Sequence, residues 1–203
     1  MLPASADALE AAATLIRAAH VVAVPTETVY GLASSLDEAG VAALLAAKAR
    51  SPQKGITLLV DALEQVTSRA ELPKAAHLLA DRFWPGPLTL VLPERPAAGL
   101  PATLTGGRGT VGFRLPDHEV PRALARRLGP LPLTSANRSG EPDATSAAEV
   151  VAALGGEIAL VIDGGAARGG VPSTVVLVAA DGEWRTLRQG ALDEAALRTA
   201  LGQ

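Results

Sequence analysis

The chain has 203 residues, 48% hydrophobic and 19% charged, which supplies one sizeable core and excludes disordered, collagen-like and coiled-coil classes. Its 18 Lys and Arg against 21 Asp and Glu leave a net charge of −3 and a pI near 5.6, so it does not coat nucleic acid through a broad basic face, and any polyanion site must be local. With no Cys and three His far apart in sequence, disulfides, thiolate nucleophiles and a metal site with His or Cys ligand spacing are excluded.

The N-terminal stretch carries Asp7 and Glu10 and no Lys or Arg before Arg17, so it does not read as a secretory signal. No apolar run approaches the ~18 residues that span a bilayer, and a cytoplasmic location is expected. From Ser5 to Ala19 apolar residues recur at helical spacing, with Ser5 or Asp7 to cap the start. Val21 to Val24 is a short strand stopped by Pro25, and Thr26 to Gly31 reads as a loop. Asp37 to Lys48 is helical and should end at Ser51-Pro52, because the residue before Pro is pushed out of the helical region. Ile56 to Val60 is a strand, 73 to 83 a helix, Leu88 to Leu92 a strand, and 93 to 109 a Pro/Gly loop. Then come a strand (Thr110 to Leu115), a helix (120 to 128) and a strand (Leu131 to Thr134). Ser146 and Glu149 have capping-box spacing for a helix over 146 to 154. Ala159 to Ile162 is a strand, 164 to 170 a Gly-rich loop, and Thr174 to Val178 pairs across an Asp181-Gly182 turn with Trp184 to Arg188. A final helix starts near Asp193. Strands and helices interleave around one antiparallel hairpin, so the expected fold is α/β, with a mixed twisted sheet flanked by helices, in one domain over 1–203.

Gly107 to Gly112 matches G-x-G-x-x-G, but it leads into a strand and not a helix, so the dinucleotide reading lacks its context. There is no Walker A sequence and no G-x-S-x-G elbow. Lys occurs only at 48, 54 and 74. If Pro52 breaks the helix, Lys48, Arg50 and Lys54 can converge on one anion, as a triphosphate requires; the alternative is that Lys48 and Arg50 merely complement a helix C-terminus. Ser135 and Asn137 follow a strand end where sheets of this class bind ligands, although the same residues also serve ordinary turns. His118, beside a helix start, reads as structural. Glu27 is the one acid inside a motif, either functional or capping a turn.

Taken in order, Pro25-Thr26-Glu27-Thr28-Val29-Tyr30-Gly31, Lys48-x-Arg50, Trp84-Pro85-Gly86-Pro87-Leu88-Thr89, Val111-x-x-Arg114-x-Pro116-x-His118, Ser135-x-Asn137, Pro172-Ser173-Thr174-Val175 and Leu187-Arg188-x-Gly190 resemble the signature of the YrdC-like family, the L-threonylcarbamoyladenylate synthases. The likeness runs from about residue 20 to 190. It implies an open twisted sheet with a concave basic cleft, and the conversion of threonine, bicarbonate or CO2 and ATP to threonylcarbamoyl-AMP and pyrophosphate. The product would pass to a transferase complex that makes threonylcarbamoyladenosine in tRNA. Carried over residue by residue, Lys48, Arg50, Ser135 and Asn137 are implied as catalytic and nucleotide-facing, with Lys54, Thr110 and Arg188 further ATP contacts. Thr28, Tyr30, Arg114 and Ser173 are implied around the threonine. Mg²⁺ is expected to arrive with ATP, without a tightly held protein metal site.

Longer family members often carry a His near Leu59, which this chain lacks; with an end at Gln203, it resembles the short, single-domain bacterial branch. Two other readings stay open: a tRNA or double-stranded-RNA binder, which the acidic pI disfavours beyond weak affinity, and a carbamoyl-adenylate enzyme with another acceptor. No membrane partner is expected.

Overall fold

The computed structural model describes residues 1–51, 53 and 55–203. In chain order the elements are β1 (Leu2–Pro3), α1 (Ala6–Arg17), β2 (Val22–Val24), β3 (Gly31–Ala33), α2 (Glu38–Ala47), β4 (Thr57–Leu59), α3 (Leu63–Thr67), α4 (Lys74–Phe83), β5 (Leu88–Pro93), a 3₁₀ turn (Pro96–Ala98), α5 (Ala102–Thr105), β6 (Thr110–Arg114), α6 (Glu119–Leu128), β7 (Leu131–Ser135), α7 (Ala147–Leu154), β8 (Leu160–Asp163), β9 (Thr174–Val178), β10 (Trp184–Arg188) and α8 (Glu194–Ala200). None of these helices is long and apolar enough to cross a membrane.

Side-chain caps set the starts of α1, α2, α6, α7 and α8, satisfying unpaired N–H groups of the first turn. Ser5, Asp37, Ser146 and Asp193 each accept a first-turn N–H, and Glu149 accepts from the Thr145 N–H at 2.7 Å. His118 caps α6 by accepting the Val120 N–H on Nδ1 at 3.2 Å; burial lowers its pKa, which favours the neutral ring able to accept there.

The ten strands form one mixed sheet in the order β1-β8-β2-β3-β7-β4-β6-β5-β9-β10. β8 pairs in parallel with β1 and β2, β4 with β6 and β5 with β9; the remaining pairs are antiparallel. Because side chains alternate across a sheet, neighbouring residues serve different layers. Val22, Val24, Leu160 and Ile162 meet α1 and α6 on one face, while Ala23, Leu58 and Val161 join the larger cluster on the other. That larger cluster continues along the sheet through Leu88, Leu90 and Leu92 of β5, Val111 and Phe113 of β6, and Val176 and Val178 of β9. The cluster under α1 and α6 does not include β5, β6, β9 or β10. On that stretch the opposite face of the sheet is left to a cavity.

Three expectations change. Gly31 belongs to a strand, β3, paired on both sides with β2 and β7. The 93–109 region holds the 3₁₀ turn and α5 as well as loop. The second helix stops at Ala47, before Ser51-Pro52. Gly107 to Gly112 leads into β6, with Gly107 and Gly109 at positive φ, so the sequence match has no helix N-terminus to offer a pyrophosphate.

Candidate active site

A cavity of about 540 Å³ lies over the uncovered part of the sheet. Its floor is the complement of the core: Thr89 and Val91 of β5, Gly112 and Arg114 of β6, Val175 and Leu177 of β9. Gly112 has no φ requirement, and a Cβ there would meet Thr57 Oγ1 at 3.3 Å and Thr89 Cγ2 at 3.6 Å; its lack of a side chain leaves room above the middle of the floor. Arg50, Arg108, Arg114, Arg185 and Arg188 line the cavity, and Asp143 is the one carboxylate among its described lining residues. Hydroxyls of Thr26, Thr57, Thr89, Thr110, Ser135 and Ser173 complete much of the polar surface. Such a site attracts a polyanion and hydrogen-bonds it.

Arg50 reaches the cavity through the way α2 ends. The Arg50 N–H donates to Leu45 O and the Ala49 N–H to Ala46 O, both at 3.0 Å, which is a Schellman closure with Ala49 at φ 48° as its left-handed residue. Glycine is the usual occupant, since a Cβ costs about 1–2 kcal/mol in this conformation. Lys48, the C-cap of α2, continues the buried stripe of Val41, Leu44 and Leu45 at i, i+3, i+4 and i+7 and so points inward, where it is 1% exposed. Its ammonium donates to Ser135 O, to Asn137 O at 2.6 Å and to Asn137 Oδ1 at 2.8 Å. Asn137 Oδ1 also accepts from Ser135 Oγ at 2.6 Å, and Asn137 Nδ2 donates to Glu141 O at 2.5 Å. Burial, and then the Arg50 charge, bring the Lys48 pKa down to about 8.

Of the predicted meeting of Lys48, Arg50 and Lys54, two members can be placed: the Arg50 charge reaches Lys48, but only Arg50 is among the lining residues. Lys48 spends its three donors behind the cavity wall on the loop after β7, Lys54 lies outside the described residues, and the charge that presses on Arg50 is Arg188. Both arginines have lowered pKa values, Arg50 through burial and then Arg188, and Arg188 through burial and Arg114, with Asp143 acting in the opposite sense. Arg50 also donates to Gly55 O at 3.1 Å.

Arg188 is aimed by an irregularity in β10: the register slips between Thr186 and Arg188 against β9, the effect of one extra residue in a strand. It donates to Ser173 O at 2.9 Å, and Ser173 Oγ lies 2.8 Å from Thr89 Oγ1. This contact needs Gly190, where a Cβ would lie 2.3 Å from Pro172 O and 2.5 Å from the Ser173 carbonyl carbon.

Arg114 enters from β6 with its side chain 7% exposed. Its Nη2 donates to Glu27 Oε1 at 2.7 Å and to Thr28 Oγ1 at 2.8 Å. Thr28 Oγ1 is also 3.0 Å from Thr26 Oγ1, so it supports Arg114 and is not among the lining residues. Tyr30 is among the lining residues, but it is fully buried, and its hydroxyl donates to Gly165 O at 2.7 Å and accepts from the Gly164 N–H at 3.2 Å. It ties down the Gly-rich 164–170 loop.

Of the residues expected at the site, Arg50, Thr110, Ser135, Arg188, Tyr30, Arg114 and Ser173 line one cavity, whereas Lys48, Asn137 and Thr28 stand behind its wall. Sequence reasoning missed Thr26, Thr57, Thr89, Arg108, Asp143 and Arg185. Thr26 and Thr89 stand inside the quoted motifs without a role given to them, whereas for Asp143 and Arg185 the signal was only their loop or strand position beside a motif. Among the described residues no three His, Cys, Asp or Glu side chains gather as a metal site.

The profile of the Sua5/YciO/YrdC family, described as telomere recombination, matches residues 14–190. The chain is 42% identical over 197 residues to a threonylcarbamoyl-AMP synthase of Pyrococcus abyssi, covering 95% of this chain and 56% of that protein. It is 44% identical over 156 residues to a threonylcarbamoyl-AMP synthase of Alkalilimnicola ehrlichii, covering 74% and 79%. The crystal structure of P. abyssi Sua5 complexed with L-threonine superposes with a TM-score of 0.89 at 41% identity, over 96% of this chain and 57% of that one. Escherichia coli YciO shares the fold, with a TM-score of 0.82 at 23% identity over 95% and 93%. The chain thus spans a little over half the length of several of the relatives it matches.

Proposed function

The chain belongs to the Sua5/YciO/YrdC family, and from that membership we propose that it is a nucleotidyltransferase that joins L-threonine, bicarbonate or CO2, and ATP into threonylcarbamoyl-AMP, releasing pyrophosphate. The observation that carries this reading is the cavity lining: five arginines against one carboxylate, with hydroxyls between them and no Cys, His or Lys among the described lining residues. That is a site for positioning anions, not for a covalent intermediate.

In this mechanism the threonine amine and CO2 give a carbamate, whose oxygen attacks the α-phosphorus as pyrophosphate leaves. The reacting groups are anionic, so catalysis is charge neutralisation and proximity. Arg50 and Arg188, with Thr110 and Ser135, take the nucleotide; Arg114 and Ser173 take the amino acid. Lys48 and Asn137 act from behind, by holding Ser135 and the loop after it, and Thr28 and Tyr30 hold Arg114 and the 164–170 loop in the same way. Mg²⁺ would arrive with the ATP substrate and neutralise charge on its phosphates, without a dedicated set of protein ligands.

The named relatives and the threonine complex of P. abyssi Sua5 support threonine as the amino acid. We read residues 1–203 as one YrdC-like domain working in the cytoplasm, with any affinity for RNA weak, its product passing to a tRNA-modifying transferase. Labelled bicarbonate tests the chemistry: label should enter an AMP-containing product only when ATP and threonine are both present. Label entering with ATP and a different carbamoyl acceptor, and not with threonine, would overturn the choice of substrate.

A further inference from the structure

We propose that Glu27 is a positioning residue for amino-acid binding, which through its ion pair fixes the edge of Arg114 that the cavity receives. The inference rests on the reading of Arg114 given under the proposed function. A carboxylate in the Thr26–Tyr30 segment would ordinarily cap the turn, but that work is already done. Thr26 Oγ1 accepts from the N–H groups of Thr28 at 3.2 Å and Val29 at 3.3 Å, and donates to Val29 O at 2.6 Å. Glu27 Oε1 instead accepts from Arg114 Nη2 at 2.7 Å across 87 residues of sequence.

The geometry of Arg114 gives this contact its consequence. A guanidinium is a planar fork whose donors leave in fixed directions. Nη2 is committed to Glu27 and Thr28, and Nε faces Gly86 O at 3.4 Å. Nη1 is the nitrogen for which no acceptor is found among the described residues, and Arg114 lines the cavity while Glu27 does not. Glu27 thus rotates the free nitrogen toward a carboxylate without touching it. The other oxygen, Oε2, is buried and receives no hydrogen bond. Such a half-satisfied carboxylate is a burden on folding, which its paired oxygen offsets by holding Arg114.

Steady-state kinetics of pyrophosphate release, with threonine and ATP varied separately, test the assignment. Glu27→Ala should raise the threonine KM about tenfold or more while the ATP KM stays within about twofold. In an Arg114→Ala background the same change should add nothing, because a residue acting through another loses its effect when that other is removed. Glu27→Gln keeps the acceptor oxygen and should stay within about threefold of wild type; Glu27→Asp, one methylene short, should resemble Glu27→Ala. The Gln and Asp pair decides the matter if the Ala variant does not fold. Effects of Glu27→Ala and Arg114→Ala that multiply, threonine and ATP KM values that rise together, or a normal threonine KM in Glu27→Asp would each overturn the role. A wild-type protein inert toward threonine would sink the parent reading instead, and calorimetric titration of the amino acid separates the two.

Discussion

The Lys48 ammonium holds Asn137, 89 residues away, by both its main-chain and its side-chain carbonyl, at 2.6 and 2.8 Å. A family position expected to face the nucleotide is here a brace between the end of α2 and the loop after β7. Its folded pKa of about 8 lies below the ordinary 10.5, so between those values the unfolded chain binds more protons than the folded one. Folding stability contributed by this group must then rise with pH from about 8 to 10.5, by up to about 3 kcal/mol. Urea unfolding of wild type and Lys48→Met across that range measures it: the difference should grow in favour of wild type, and a flat or falling difference contradicts the lowered pKa of this buried amine.

Ala49 gives a second test, independent of chemistry. Replacing it with Gly removes the left-handed penalty at a small cost in chain entropy, so Ala49→Gly should raise stability by about 0.5–1 kcal/mol. Ala49→Val should lower it by more than that. Equal stability of all three by denaturant titration would mean that the Schellman closure does not form.

Arg50 lies in the loop that follows this closure and faces Arg188 across the cavity. Arg50→Ala should lose transition-state stabilisation of roughly 3 kcal/mol, the scale for one charge-stabilising donor, with the unfolding midpoint nearly unchanged. Arg50→Lys keeps the charge but not the fork, and should recover only part of the loss. Wild-type turnover in Arg50→Ala would show that Arg188 carries the nucleotide alone.

Selectivity for the amino acid should follow the hydroxyls that remain available. Thr28 is spent on Arg114 and Thr26, whereas the Thr89–Ser173 pair lines the cavity. Serine, lacking one methyl, should lose about 1–3 kcal/mol in kcat/KM; valine leaves a polar group unpaired and should lose more. Valine equal to serine would mean that the pocket reads shape alone.

Apart from β1, whose two residues are too few to show a pattern, most strands and the longer helices were legible because their periodicity and caps are local. β3 was not: Val29-Tyr30-Gly31-Leu32 carries a turn-like glycine, and the strand exists because β2 and β7 pair with it on both sides. Gly31 is where a Cβ would come 2.9 Å from the Leu133 side chain, so the residue that argued for a loop is one that lets two strands approach. α5 has only four residues, too few to show a period. At the site, the ordered motifs pointed to Arg50, Arg114, Ser173 and Arg188, and these residues line one cavity. The brace made by Lys48 was hidden because a cation at the end of the Val41, Leu44, Leu45 stripe reads equally well as a helix-end complement, and the convergence was ascribed to Pro52. The partner of Arg114 was hidden because nothing in a sequence joins positions 27 and 114.

Pyrophosphate release from ATP tests the central assignment most directly. With the purified chain, release should require threonine and bicarbonate together, should form no ADP, and should fall steeply in Arg50→Ala. Release of ADP and phosphate, or pyrophosphate release indifferent to threonine, would contradict the account.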